Sequence, residues 1–136
     1  MRVFIDENMP RQLVPILEAF EVSGVEMEGW KGVKNGDLMR LIAERFDVLL
    51  TADASFAAQN NLSLVKLSLV VLPTNDLTIL RAGAVSVGRS ITDLGRVGEP
   101  AVMRIDWKGR RTLQRTRSGS NIEPIEIEPI PPFGYR

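Results

Sequence analysis

Up to Gly95, short apolar runs alternate with stretches in which apolar residues recur at helical spacing. Val3-Phe4-Ile5 is a compact apolar run closed by Asp6-Glu7-Asn8 and predicts a buried first strand. Asn8 can cap a helix that Pro10 enters in its first turn, with Leu13, Ile16, Leu17 and Phe20 on one face and Pro15 as a kink. Val22 to Met27 predicts a short second strand, weakened by Gly24. After the glycine-rich loop Gly29-Trp30-Lys31-Gly32, Asn35-Gly36-Asp37 opens a helix carried by Leu38, Leu41, Ile42 and Phe46. Asp47 to Thr51 and Ser68 to Leu72 predict two further buried strands, and Asp76 to about Leu94 one long helix loosened by Gly83 and Gly88. Strands alternating with helices imply parallel βαβ units, with helices on both faces of a mostly parallel central sheet.

Beyond Gly95 the pattern changes. Ala101–Trp107 and Arg111–Thr116 flank Lys108-Gly109-Arg110, a hairpin signal. From Ile122 the chain carries Pro124, Pro129, Pro131 and Pro132, which favours an extended course. The expected organisation is therefore an α/β domain over 1–95, followed over 96–136 by a C-terminal β-hairpin and an extended Pro-rich tail, packed on the same domain or on a partner copy.

Composition narrows the chemistry. The 136 residues contain neither cysteine nor histidine. Disulfides, thiolate or histidine metal sites and Ser-His-Asp catalysis are thereby excluded within this sequence. What remains is chemistry of carboxylates, hydroxyls, Lys, Arg or Tyr, aided by a hard cation. With 17 basic and 17 acidic residues, net charge gives no argument for a nucleic-acid partner. The charged N-terminus does not resemble a secretory leader, and the longest apolar stretch, Leu67 to Leu72, is too short to cross a bilayer. A cytoplasmic protein without membrane contact is expected.

In an open α/β sheet the functional crevice lies beyond the carboxyl ends of the strands. Asp6 and Glu7 follow the first strand, Asp53 follows the third, and Asp37 starts a helix that feeds the third. All three aspartates can therefore meet on one edge. Converging carboxylates repel one another unless a cation lies among them, and an all-oxygen site favours Mg²⁺ or Mn²⁺. The corresponding chemistry is metal-assisted phosphodiester hydrolysis. Taken singly, Asp37 and Asp53 also fit helix caps or turn formers, whereas the adjacent pair Asp6-Glu7 exceeds what a cap requires.

The string Phe4-Ile5-Asp6-Glu7-Asn8-Met9-Pro10 resembles the opening of PIN-like nuclease domains of the toxin–antitoxin kind. Gly36-Asp37-Leu38 resembles that family's acid at the start of its second helix, and Leu49-Leu50-Thr51-Ala52-Asp53-Ala54-Ser55-Phe56 its third-strand signature. The likeness covers roughly residues 1–80. It implies a PIN-like fold and a single-strand-specific ribonuclease using Mg²⁺ or Mn²⁺, with Asp6, Asp37 and Asp53 as catalytic metal ligands. It further implies that Glu7, Asn8, Thr51 and Ser55 support the site, with Thr51 orienting Asp53, and that a cognate antitoxin is a partner. Ser55 stands where the family usually carries a second acid, and Ala52 where it carries an arginine. One carboxylate fewer weakens metal affinity. A PIN-like binding protein with weakened catalysis is the corresponding alternative. Asp76 can substitute for the missing acid or cap the helix that follows it.

From Arg96 to Arg117 seven basic residues stand against Glu99 and Asp106. Alternate strand residues share a face, so Arg111, Arg115 and Arg117, with Arg110 in the turn, can form a phosphate-binding patch, and Trp107 can stack a base. The competing expectations are a solvated hairpin with Trp107 in the core, and pairing of the arginines with Glu123, Glu126 and Glu128 in the same chain or across a homodimer. A phospho-acceptor domain of the response-regulator receiver type, with Asp53 as acceptor and Thr74 and Lys108 as helpers, shares the spacing of acids. The segment after Asp53 lacks the continuation expected of that type.

Overall fold

The protein is described from a computed structural model over residues 1–56, 62, 65–116 and 123–134. Within these residues the chain runs β1 (Arg2–Ile5), α1 (Leu13–Ile16), β2 (Glu21–Gly24), α2 (Val25–Glu28), α3 (Asn35–Arg45), β3 (Val48–Thr51), β4 (Ser68–Val71), α4 (Leu77–Ala82), α5 (Ala84–Gly95), β5 (Ala101–Ile105), β6 (Arg111–Arg115) and β7 (Ile125–Ile127). The strands form one sheet in the order β2-β1-β3-β4-β5-β6-β7. Neighbours from β2 to β5 pair parallel, and β5-β6 and β6-β7 pair antiparallel. The class is α/β with a mostly parallel sheet.

The strands divide their side chains by the two-residue period of a pleated sheet. Val3, Ile5, Val48, Leu50, Val70, Ala101 and Met103 face a layer supplied by α1, α4, α5 and the C-terminal tail. Phe4, Leu49, Leu69, Val71 and Val102 face the other layer, with Val25 of α2 and Met39 and Ile42 of α3. Both faces are covered, so β3 and β4 are buried at every position, and this is why they read as unbroken apolar runs. On the second face Phe4 packs against Trp30 and Phe46, with ring centroids 5.7 and 5.2 Å away. Trp30 thereby anchors the glycine-rich loop and leaves Lys31 exposed.

Several elements differ from expectation. The first helix is a single turn that starts at Leu13 and not at Pro10. Its N-cap is Gln12, without a side-chain cap, and Asn8 does not cap it. Pro15 is the third residue of that turn, where a missing N–H is tolerated. The second strand stops at Gly24 because the chain turns at once into α2. The long helix expected over Asp76–Leu94 is two helices broken at Gly83. A side chain at Gly83 would meet the Phe133 ring 2.8 Å away, so the break leaves room for the tail to seat. Asp76 takes the capping role, its carboxylate accepting from the Ile79 amide at 3.0 Å.

The region after Gly95 is continuous with the sheet: β5 pairs with β4, and the β5–β6 hairpin turns over Asp106–Arg110. Gly109 adopts φ 82°, and a Cβ there would lie 2.0 Å from the Ile130 carbonyl oxygen. The tail crosses the turn at this glycine. The Ile130 amide donates to the Gly109 carbonyl and the Phe133 amide to the Trp107 carbonyl, both at 2.9 Å, and Ile130 and Phe133 are buried in the main core. The tail therefore packs on its own domain. Among the described residues, no helix is long and apolar enough to cross a membrane.

Candidate functional site

Strand order 2-1-3-4-5 reverses direction between β1 and β3, and the crevice of an open α/β sheet opens beyond the strand ends at such a switch point. Asp6 extends the β1 ladder there, its amide donating to the Leu50 carbonyl at 2.9 Å. Thr51, the last residue of β3, is fully buried. Its hydroxyl donates to Asp6 Oδ2 at 2.7 Å and accepts from the Asp53 amide at 3.0 Å. One hydroxyl thus fixes the Asp6 carboxylate and the turn that carries Asp53. The Asp53 Oδ1 atom accepts from both the Ser55 hydroxyl (2.7 Å) and the Ser55 amide (3.0 Å).

The two bonds from Ser55 favour the ionised form of Asp53. The Ser55 hydroxyl, then the Ser55 amide, hold its carboxyl below the ordinary carboxylate value, against a small opposing effect of burial. A lowered folded-state pKa favours the ionised form in the native protein. The associated stability is present above the unfolded value and is lost as pH falls through the folded one. In Ser55→Ala the Asp53 pKa is expected to rise back toward 3.8, which a carboxyl NMR titration reads directly. An unchanged titration would show that Ser55 does not control this group.

The other expected residues divide. Asp37 lies in the first turn of α3 but is not its N-cap, which is Lys34. It forms an ion pair with Arg40, three residues on and therefore on the same helix face. Among the described residues, no three acidic side chains stand close enough to hold a metal ion. The three-carboxylate set Asp6, Asp37 and Asp53 is thus not assembled, and Asp37 is engaged on its own helix. Glu7 is exposed and lines the clefts on either side of Asp6. The Asn8 carbonyl accepts from the Asn75 side chain at 3.0 Å, tying the loops after β1 and β4 together.

The arginine patch is also redistributed. Arg111 and Arg115 do fall on the same side of β6, but at Arg111 and Leu113 that side is buried, and Arg111 is 1% exposed. Its guanidinium meets Asp93 at 3.0 Å, the Ser90 hydroxyl at 3.2 Å and the Glu128 backbone carbonyl at 2.8 Å. Arg111 is a structural cation and not a phosphate contact. Arg110 is paired with Asp106 at 2.7 Å and Arg115 with Glu99 at 2.9 Å, both near the surface, and Arg117 lies outside the described residues. The Glu128 carboxylate pairs with Arg89. Trp107 is half exposed and not part of the core.

Mg²⁺ is commonly held by only one or two carboxylates, with waters and substrate phosphates completing its shell. Asp6, oriented by the Thr51 hydroxyl, and Asp53, whose amide donates to that hydroxyl, fit that description by the chemistry of their donors, although among the described residues no acidic cage surrounds them. The sequence did not single out Lys31, Met9 and Met27, which line the cleft beside Asp6. The signal for Lys31 was a cation set between glycines in the loop that follows β2 and α2.

Fold and site together define an α/β protein in which one buried hydroxyl links the Asp6 carboxylate to the Asp53 backbone amide at the switch point of its sheet. Comparison with family models, curated proteins and solved structures finds no match for the chain.

Proposed function

We propose that the chain is a PIN-like, metal-dependent ribonuclease, the toxin component of a toxin–antitoxin pair, acting on RNA phosphodiesters through Asp6 and Asp53. The observation that carries this reading is the Thr51 hydroxyl bridging the Asp6 carboxylate to the Asp53 turn at the mouth of the switch point. It gives the expected third-strand threonine a physical task, since a ligand oriented by a buried hydrogen bond binds a cation without first having to be ordered. When bound, Mg²⁺ or Mn²⁺ would supply a Lewis acid and an activated water. The protein's own part is to orient the Asp6 carboxylate, to favour the ionised form of Asp53 and to present both beyond the strand ends. Glu7 would stand beside the substrate. Asp37 would join the site only by leaving Arg40, so the working set is two carboxylates and not three.

Incubation of single-stranded RNA with the protein and Mg²⁺ or Mn²⁺ is expected to give endonucleolytic products, abolished by chelation. Ser55→Asp restores the acid that the resemblance leads one to expect and should accelerate cleavage. If only that variant cleaves, the native chain is a binding protein that keeps the fold without the chemistry. If neither does, the nuclease reading fails.

A receiver-like phospho-acceptor is the second reading. It is favoured by the 2-1-3-4-5 strand order, which such flavodoxin-like folds share. Against it, one carboxylate oxygen of Asp53 is already engaged twice by Ser55, and Lys108 stands in the hairpin turn before Gly109. Mass gain on Asp53 after treatment with a small phosphodonor would favour it over the nuclease.

A further inference from the structure

Beside Asp6, between the end of β1 and α2, lies a cleft of about 160 Å³. Its walls are apolar where Ile5, Met9 and Val25 form them, all buried, and Met27 stands exposed at the mouth. Arg11 and Glu26 close one side as an ion pair at 2.9 Å, so the Glu26 carboxylate is already engaged. Two charged groups in the lining are left over: among the described residues, Glu7 and Lys31 have no hydrogen bond or ion pair.

We propose that this cleft is a pyrimidine subsite beside Asp6 that selects cytosine; the inference rests on the ribonuclease reading. The volume suits one ring, since an enclosed cavity of about 150 Å³ takes a benzene-sized guest. The apolar walls suit the faces of a base splayed out of a single strand, which is how single-stranded RNA is commonly read. Two methionines among them add polarizable contact with a π face. The edge is read by Glu7. A carboxylate is an acceptor only, so it pairs with the amino group at C4 of cytosine and is repelled by the carbonyl oxygen that uracil carries there. Lys31, held at the rim by the Trp30 anchor, is the point charge for the adjoining phosphate.

The experiment measures nucleotide binding apart from cleavage. CMP and UMP are titrated into the full chain without divalent metal, followed by calorimetry and by the Met9 and Met27 methyl resonances. CMP is expected to bind about 10-fold tighter than UMP, the discrimination of one good edge contact. Glu7→Gln, at an exposed position, is expected to erase or reverse the preference, since its amide can donate to the uracil oxygen. Equal binding of the two nucleotides, no saturable binding of either, or a preference unchanged in Glu7→Gln would overturn the proposal. Metal-dependent RNA cleavage persisting in that event leaves the nuclease reading intact. Selective CMP binding without cleavage would retain the subsite and remove the nuclease.

Discussion

Asp6→Asn is expected to reduce metal-dependent RNA cleavage by at least about 100-fold while leaving the fold intact. Substituting a residue that merely orients a ligand commonly lowers metal affinity or activity by about 10–100-fold, and removing the charge of a ligand itself has no smaller effect. Asparagine keeps the shape of aspartate, and its carbonyl oxygen can still accept the hydrogen bond that the Thr51 hydroxyl now gives at 2.7 Å. The change therefore removes charge and little else, and an unchanged thermal midpoint is the control. Retained cleavage with saturating Mg²⁺ or Mn²⁺ would remove Asp6 from the site. The two-carboxylate description would fall with it, because Asp53 alone has no partner acid fixed beside it.

Arg111→Ala is expected to destabilise the protein by about 3 kcal/mol. The guanidinium is buried, and its loss strands the Ser90 hydroxyl and the Glu128 carbonyl while opening a cavity beneath β6. Asp93 loses its closest partner but retains Arg89 at 3.6 Å and is a quarter exposed, which keeps the effect below that of a fully orphaned buried charge. For a domain of this size that corresponds to a fall in Tm of roughly 10 °C. Arg115→Ala is the comparison. Its pair with Glu99 is partly exposed, and such pairs contribute about 0–1 kcal/mol. Thermal melts of the two variants separate the cases. If Arg111→Ala lowers RNA affinity and leaves Tm unchanged, the inward placement of Arg111 is wrong and it belongs to a phosphate-binding surface after all.

Arg111 also shows where the sequence stops being legible. Strand alternation groups Arg111 with Arg115 on one face of β6, as expected, while Arg117 lies outside the described residues. No local pattern says whether that face looks to solvent or beneath a helix, because the answer depends on α5 and on a tail more than ten residues away. The two-helix division at Gly83 was hidden for the same reason: the glycine answers to Phe133, which only the tertiary fold brings near. The central strands were readable because both their faces are buried, which leaves an unbroken apolar run in the sequence itself. Within the site, strand ends located Asp6 and Asp53, and the resemblance assigned Thr51 an orienting role. The position of Asp37 was readable, but its commitment to Arg40 was not, since a carboxylate at a helix start serves equally as ligand, cap or ion-pair partner.

The seating of Ile130 and Phe133 beneath the hairpin turn has a consequence for how the protein is made. The parallel strands β1 to β5 are all present by residue 105, yet the apolar layer beneath α4 and α5 is completed only when residue 133 arrives. Emerging from the ribosome, the nascent chain passes through a stage in which every parallel strand exists but part of the core stands open, the kind of species prone to aggregation. This late closure makes the last dozen described residues a folding lock. A stalled or nicked product lacking them would present an unfinished sheet to proteases and chaperones.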